Sequence, residues 1–112
     1  MAYICHMVII ETSIFTKRIL QLMSDDLYRE LQNVLVVYPE SGKIIQGSAG
    51  LRKIRWKTKL RGKQGGVRVI YYFSTKEQQI FMLMVYAKNE RTDLTKNQLS
   101  ILRKVVEREF KL

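Results

Sequence analysis

Apolar residues recur along this 112-residue chain with two different periods, and the change of period divides it. Met7 to Ile10 is a short apolar run that reads as a strand. Ser13 is then placed to cap a helix over Ile14 to Met23, whose Phe15, Ile19 and Leu22 fall at helical spacing. A second helix is predicted from Ser24, with Asp25 and Asp26 in the first turn, where carboxylates suit the helix dipole. Its apolar stripe is Leu27, Leu31, Val34, Leu35 and Tyr38, and Pro39 ends it because proline cannot donate the next backbone bond. Two amphipathic helices with a tight joint make a helical hairpin.

After a Gly- and Ser-rich loop from Glu40 to Gly50 the period becomes two. In Leu51 to Lys57, Ile54 and Trp56 alternate with Lys53, Arg55 and Lys57. Gly66 to Phe73 sets Val67, Val69, Tyr71 and Phe73 on one face and Arg68, Ile70 and Tyr72 on the other. Ile80 to Tyr86 is apolar at every position, as a strand covered on both sides must be. Turn residues separate these runs at Gly62, at Gly65-Gly66 and at Ser74 to Glu77, and the short links favour an antiparallel meander. A last helix begins with a capping box, Thr95 and Gln98, and a staple of Leu94 and Leu99; its stripe is Leu99, Leu102, Val106 and Phe110.

The expected fold is therefore α+β in the order β-α-α-β-β-β-α: a mainly antiparallel sheet of about four strands, a helical hairpin on one face and a C-terminal helix. The other face is expected to remain in part accessible and basic. No repeat or linker interrupts residues 1–112, so one domain is expected, with residues 1–6 as a loose leader and Met7 as an alternative start.

Composition narrows the function. Hydrophobic residues make up 46% of the chain, which suits a folded domain and not a disordered one. No apolar run approaches the roughly 20 residues that span a bilayer, and the first ten residues do not resemble a secretory signal. One Cys, Cys5, forms no internal disulfide and suits a reducing cytoplasm. The net charge of +10 is localised: residues 41–76 hold ten Lys or Arg and no acid, and the remaining residues sum to zero. Such a one-sided field draws polyanions, whether nucleic acid or an acidic protein segment.

Familiar reaction centres are missing. The one His, His6, lies in the leader, and with one Cys it cannot complete a usual zinc ligand set. The ten acids show no paired-carboxylate motif, and no Lys-Ser or Lys-Thr follows the glycines to make a phosphate loop, so no metal or cofactor is expected. What remains is a row of cations on a strand. Lys53, Arg55 and Lys57 recur roughly 6.6 Å apart on one face, close to the phosphate spacing of a nucleic-acid backbone. Arg68 can join them from the neighbouring strand. Lys59, Arg61 and Lys63 add charges able to follow a strand of RNA. Tyr71, Tyr72 and Tyr86 are interleaved with these cations; core positions are expected for them, although an exposed one would stack on a base.

These segments resemble the RelE/HigB-type toxins of bacterial toxin–antitoxin systems. The resemblance runs from Met7 to Phe110. It is strongest in Gly50-Leu-Arg-Lys-Ile-Arg55, in Lys63-Gln-Gly-Gly-Val-Arg-Val-Ile-Tyr-Tyr72 and in Tyr86-Ala-Lys-Asn-Glu-Arg-Thr-Asp-Leu94, and it points to the HigB-like branch. It implies a small ribosome-dependent endoribonuclease that cleaves messenger RNA by attack of a 2′-hydroxyl on the adjacent phosphate. By position, the family's reaction-centre residues fall on Lys53, Arg55, Arg68, Lys88 and Glu90. RNA contacts are expected of Arg52, Lys57, Lys59, Arg61, Lys63 and Arg91. Asn89 and Thr95 stand where some members have Arg and Tyr, and the His residues of other members are absent, so either a Lys or Glu90 would have to move the protons. The resemblance also implies a cytoplasmic protein silenced by a cognate antitoxin, a small helix-turn-helix, HigA-like protein. Two readings stay open beside it: a basic protein that binds RNA or DNA without cutting it, and a docking domain for an acidic partner.

Overall fold

The computed structural model describes residues 7–58, 66–90 and 93–112. In chain order its elements are β1 (Val8–Glu11), α1 (Ser13–Leu22), α2 (Asp25–Val37), β2 (Lys43–Ile44), β3 (Arg52–Trp56), β4 (Val67–Ser74), β5 (Gln79–Ala87) and α3 (Lys96–Phe110). The expected order holds, with one addition. Five strands form the sheet, ordered β1-β5-β4-β3-β2. The extra edge strand, β2, has two residues, too few for any period to register. β1 pairs parallel with β5, and every other pairing is antiparallel.

Alternation sorts the sheet's side chains into two cores. On one face Ile54, Trp56, Val67, Val69, Tyr71, Ile80, Met82, Val85 and Ala87 pack with Phe15, Ile19, Leu22, Leu31 and Leu35 of the helical hairpin. On the other, Leu51, Ile70, Phe81, Leu83 and Tyr86 pack with Val106 and the stripe of α3. Phe110 seats its ring between Tyr72 and Phe81, at centroid distances of 5.4 and 6.0 Å. Tyr71 and Tyr86 are buried and Tyr72 is half-buried against Phe110, so core packing accounts for all three.

β5 changes phase midway. Ile80 and Met82 face the hairpin, but so do Val85 and Ala87, which differ from them in parity. The register jumps between Ile70, paired with Met84, and Tyr71, paired with Met82, so Leu83 is the extra residue of a bulge. Leu83 and Met84 consequently both face α3. The Thr12 hydroxyl fastens the adjoining edge: it donates to the Leu83 carbonyl at 2.9 Å and accepts from Phe15 N at 3.1 Å. Thr12, not Ser13, is thus the cap of α1. The other two caps fall on the expected residues, Ser24 for α2 and Thr95 for α3, the latter with its capping box complete.

A second fastening sets β2. The Tyr71 hydroxyl donates to the Pro39 carbonyl and accepts from Gly42 N, both at 2.8 Å. Burial pushes this phenol above its ordinary pKa, with the Gly42 amide and the Arg52 charge opposing the shift. The contact leaves no room for a side chain at residue 42: a Cβ there would lie 2.8 Å from the Tyr71 ring and hydroxyl. At the far end of β3, Gly66 has φ +71°, and a Cβ would meet the Trp56 carbonyl oxygen at 2.3 Å, so only glycine lets β4 begin there.

Thr12 carries two bonds that no other group replaces. Thr12→Ala should lower the unfolding free energy by about 1–2 kcal/mol, read as a lower urea midpoint at constant slope. Thr12→Ser should recover most of it. An unchanged midpoint in Thr12→Ala would mean that the bulge and the cap are not joined through this hydroxyl.

Candidate functional site

Strand register turns the row of cations into a cluster. Arg55 stands directly opposite Arg68 across β3 and β4, and Lys53 stands opposite Lys43 across β2 and β3. Like charges directly opposite each other in a sheet repel. Both pairs lie on the α3 face, but toward the β2 edge, which α3 leaves partly uncovered. There a cleft of about 710 Å³ opens between the strands and the start of α3. Lys43, Lys53 and Arg55 supply its cations. Ile45, Leu94 and Leu99 supply an apolar side, and Ser41, Gln46 and Asp93 further polar groups. The expectation of a basic, accessible part of this face is met at this edge, and the remainder is core.

The cations differ in burial and partners. Arg55 is exposed, whereas Arg68 is only 5% exposed and does not line the cleft. One Arg68 nitrogen donates to the Val67 carbonyl at 3.3 Å. The Lys53 ammonium, a quarter exposed, pairs at 3.0 Å with Asp93, forty residues further along the chain. Asp93 is the one carboxylate among the described residues that line this cleft.

Other expected site residues sit elsewhere. Arg52 lies on the hairpin face of β3, paired with Tyr71, and donates to the carbonyls of Gly42 at 2.7 Å and Glu40 at 3.3 Å. It ties down the loop that leads into β2. Glu90, in the turn after β5, is gripped by Arg18 of α1, one nitrogen of which lies 2.7 and 2.5 Å from the two carboxylate oxygens. Lys88 is exposed at the start of that turn, its backbone N donating to the Gly66 carbonyl at 3.2 Å. Lys57 is exposed at the end of β3 and borders a second groove with Leu27, Glu30 and Trp56. Lys59, Arg61, Lys63 and Arg91 lie outside the described residues, as does the leader 1–6.

The structure thus brings Lys53 and Arg55 together in one cleft, sets Arg68 across from Arg55 on β4 but outside the cleft lining, and ties Glu90 to α1. It adds Lys43 and Asp93, to which the sequence assigned no role. Lys43 was visible only as one charge in a loop, and Asp93 only as part of a motif. Among the described residues, no group of three or more His, Cys, Asp or Glu could hold a metal ion, and no helix is long and apolar enough to cross a membrane.

Residues 15–112 match the model of a family described as the RelE toxin of the RelE/RelB toxin–antitoxin system. Among solved structures, the chain is similar to a doubly substituted mutant of the E. coli toxin RelE in the free state, at 18% identity and a TM-score of 0.54, over 77% of this chain and 87% of that one. It is similar to the isolated E. coli RelE toxin at 17% identity and 0.54, over 89% and 99% of the two chains. A chain of the intact E. coli RelBE toxin–antitoxin complex matches at 22% identity and 0.54, over 73% and 96%. These likenesses show a shared fold.

The different placements of Arg52 and Arg55 are separable in solution. Arg55→Ala should reduce the slope of log affinity against log salt for single-stranded RNA by about 0.7, the value of one lost phosphate contact, with little effect on stability. Arg52→Ala should instead cost about 1 kcal/mol of stability and leave that slope alone. Fluorescence anisotropy over a salt series and urea unfolding of the same variants check both. The reverse pattern would place the RNA on the hairpin side.

Proposed function

The chain belongs to the RelE toxin family of RelE/RelB toxin–antitoxin systems, and from that premise we propose that it is a metal-independent endoribonuclease toxin that cuts messenger RNA on the ribosome. The observation that carries the reading is the cleft in which Lys43, Lys53 and Arg55 converge beside one carboxylate, with Lys43 opposite Lys53 and Arg55 opposite the buried Arg68 in the strand register. A fold tolerates such repulsion where an anion is to be bound.

In this reading the RNA 2′-hydroxyl attacks the adjacent phosphorus. A bond forms from O2′ to phosphorus and the bond from phosphorus to O5′ breaks, leaving a 2′,3′-cyclic phosphate and a 5′-hydroxyl. Arg55 and Lys43 hold the non-bridging oxygens, and Arg68, on the neighbouring strand, adds to the positive field without touching the phosphate. The 2′-hydroxyl proton passes to the Asp93 carboxylate, and the Lys53 ammonium protonates O5′ as it leaves. Because Asp93 and Lys53 are 3.0 Å apart, the proton then returns from the acid to the amine and the pair is reset. Glu90 and Lys88 act outside this exchange, Glu90 through its bond to Arg18. A two-residue proton system without His suits an enzyme that depends on the ribosome to align its substrate.

The partner in this reading is a cognate antitoxin, and the motifs of the HigB-like branch favour a small helix-turn-helix, HigA-like protein. Its acidic residues would meet the basic segment 41–76 in a cytoplasmic complex that associates more slowly as salt rises. A basic protein that binds nucleic acid without cutting it is the second reading, since the same cluster would serve it.

Asp93→Asn and Lys53→Ala should each slow cleavage in a translating extract by about a hundredfold or more, while Asp93→Asn should bind RNA at least as tightly as the parent. Mapping 5′-hydroxyl ends on a reporter transcript gives the rate. Uncut transcript and undisturbed growth on expression of the unaltered chain would favour the binding protein. Expression with the neighbouring gene should restore growth and yield a complex that co-purifies. A neighbour that does neither would remove the antitoxin from the account.

A further inference from the structure

The cleft holds more than phosphate chemistry needs. The same cleft is lined by Ile45, Leu94 and Leu99, three aliphatic side chains that also pack against the α3-side core. They are partly exposed, not buried, so they present apolar surface to whatever enters. None is loosely held. The Ile45 amide donates to the Leu51 carbonyl at 2.8 Å, and Leu94 and Leu99 flank the Thr95 cap, whose capping box fixes the first turn of α3. Beside them lies Gln46, exposed, with a side-chain amide that both donates and accepts. At about 710 Å³ the space falls within the roughly 300–1,000 Å³ of sites that enclose small molecules.

A bare phosphodiester would use the cations and leave the aliphatic wall wet. A ligand with a flat apolar face joined to a phosphate uses both. We propose that this wall is a nucleobase subsite: one base of the RNA lies against Ile45, Leu94 and Leu99 while its phosphate sits on Arg55 and Lys43 beside Lys53, and Gln46 meets the base edge. The inference rests on the RNA-cleaving reading of the same cleft and adds to it the part of the substrate that is read. An amide can pair with more than one base edge, so the subsite discriminates among bases by the fit of that edge and not by charge.

The test is an NMR titration of the full chain with the four ribonucleoside 5′-monophosphates, ribose 5-phosphate and inorganic phosphate. At least one nucleotide should bind about tenfold more tightly than ribose 5-phosphate, a difference of about 1.4 kcal/mol. Its base protons should show nuclear Overhauser contacts to the methyl groups of Ile45, Leu94 or Leu99. In Leu99→Ser the nucleotide's advantage should vanish while ribose 5-phosphate binds as before, and Gln46→Ala should narrow the differences among the four bases. Should Leu99→Ser fail to fold, the contacts in the unaltered chain decide alone. Equal affinity for ribose 5-phosphate and all nucleotides, or base protons that contact none of these methyls, overturns the subsite and leaves the cleavage reading standing. If no phosphate, inorganic phosphate included, perturbs Lys53 or Arg55, the cleavage reading itself fails and the subsite with it.

Discussion

Like charges held face to face across a sheet are the constraint around which this molecule is arranged. Arg55 stands against Arg68 and Lys43 against Lys53, like charges directly opposite that repel, and Arg68 is buried as well. β2 pairs with β3 through two residues only, so that pairing does little to hold β2 against the repulsion. Their position is imposed from outside. Ile54 and Trp56 anchor β3 in the hairpin core, Leu51 anchors it in the α3 core, and Tyr71 with Arg52 ties the chain that leads into β2. The repulsion survives because the groups that suffer it are not the groups that hold the strands.

The same separation explains why two neighbours in sequence, Arg52 and Lys53, do different work. Period two sends them to opposite faces. Arg52 meets backbone carbonyls and becomes part of the frame, while Lys53 meets Asp93 and becomes part of the cleft. The bulge at Leu83 plays a comparable part on β5. Without an extra residue there, Val85 and Ala87 would face α3 and Tyr86 the hairpin, and the hairpin core would lose its match to β4.

What could be read in advance follows from what leaves a periodic trace. β3 and β4 alternate cleanly, so their faces, and the convergence of Lys53, Arg55 and Arg68 on one of them, were legible from residue parity. The start of α3 was legible because a capping box is local. β5 hid its bulge because it is apolar at every position, and a phase shift in an unbroken apolar run changes nothing in the pattern. β2 was too short to have a period. Thr12 and Ser13 are equally good caps by type; Thr12 prevails because its hydroxyl also reaches the Leu83 carbonyl, seventy-one residues away. The partners of the charged groups were least legible of all. Nothing local marks Asp93 as the counter-ion of Lys53, or Arg18 as that of Glu90, since each pair is joined only by the fold.

On the proposed RNA-cleaving reading, the placement of Asp93 bears on how so basic a chain would avoid indiscriminate binding. Ten cations without an acid in residues 41–76 would hold any RNA backbone, with an affinity indifferent to sequence. A carboxylate paired to Lys53 opposes this, because every phosphate that enters must contend with a negative charge already there. Asp93 is three-quarters exposed, so water weakens its hold on Lys53 and an entering anion competes with it on near-equal terms. In the proposed reading, binding energy lost at the backbone has to be recovered from groups that differ between nucleotides, and the aliphatic wall with Gln46 would be where this cleft offers them. Lowering the uniform part of the affinity raises the share that distinguishes one substrate from another, because specificity is a difference of affinities and not their size.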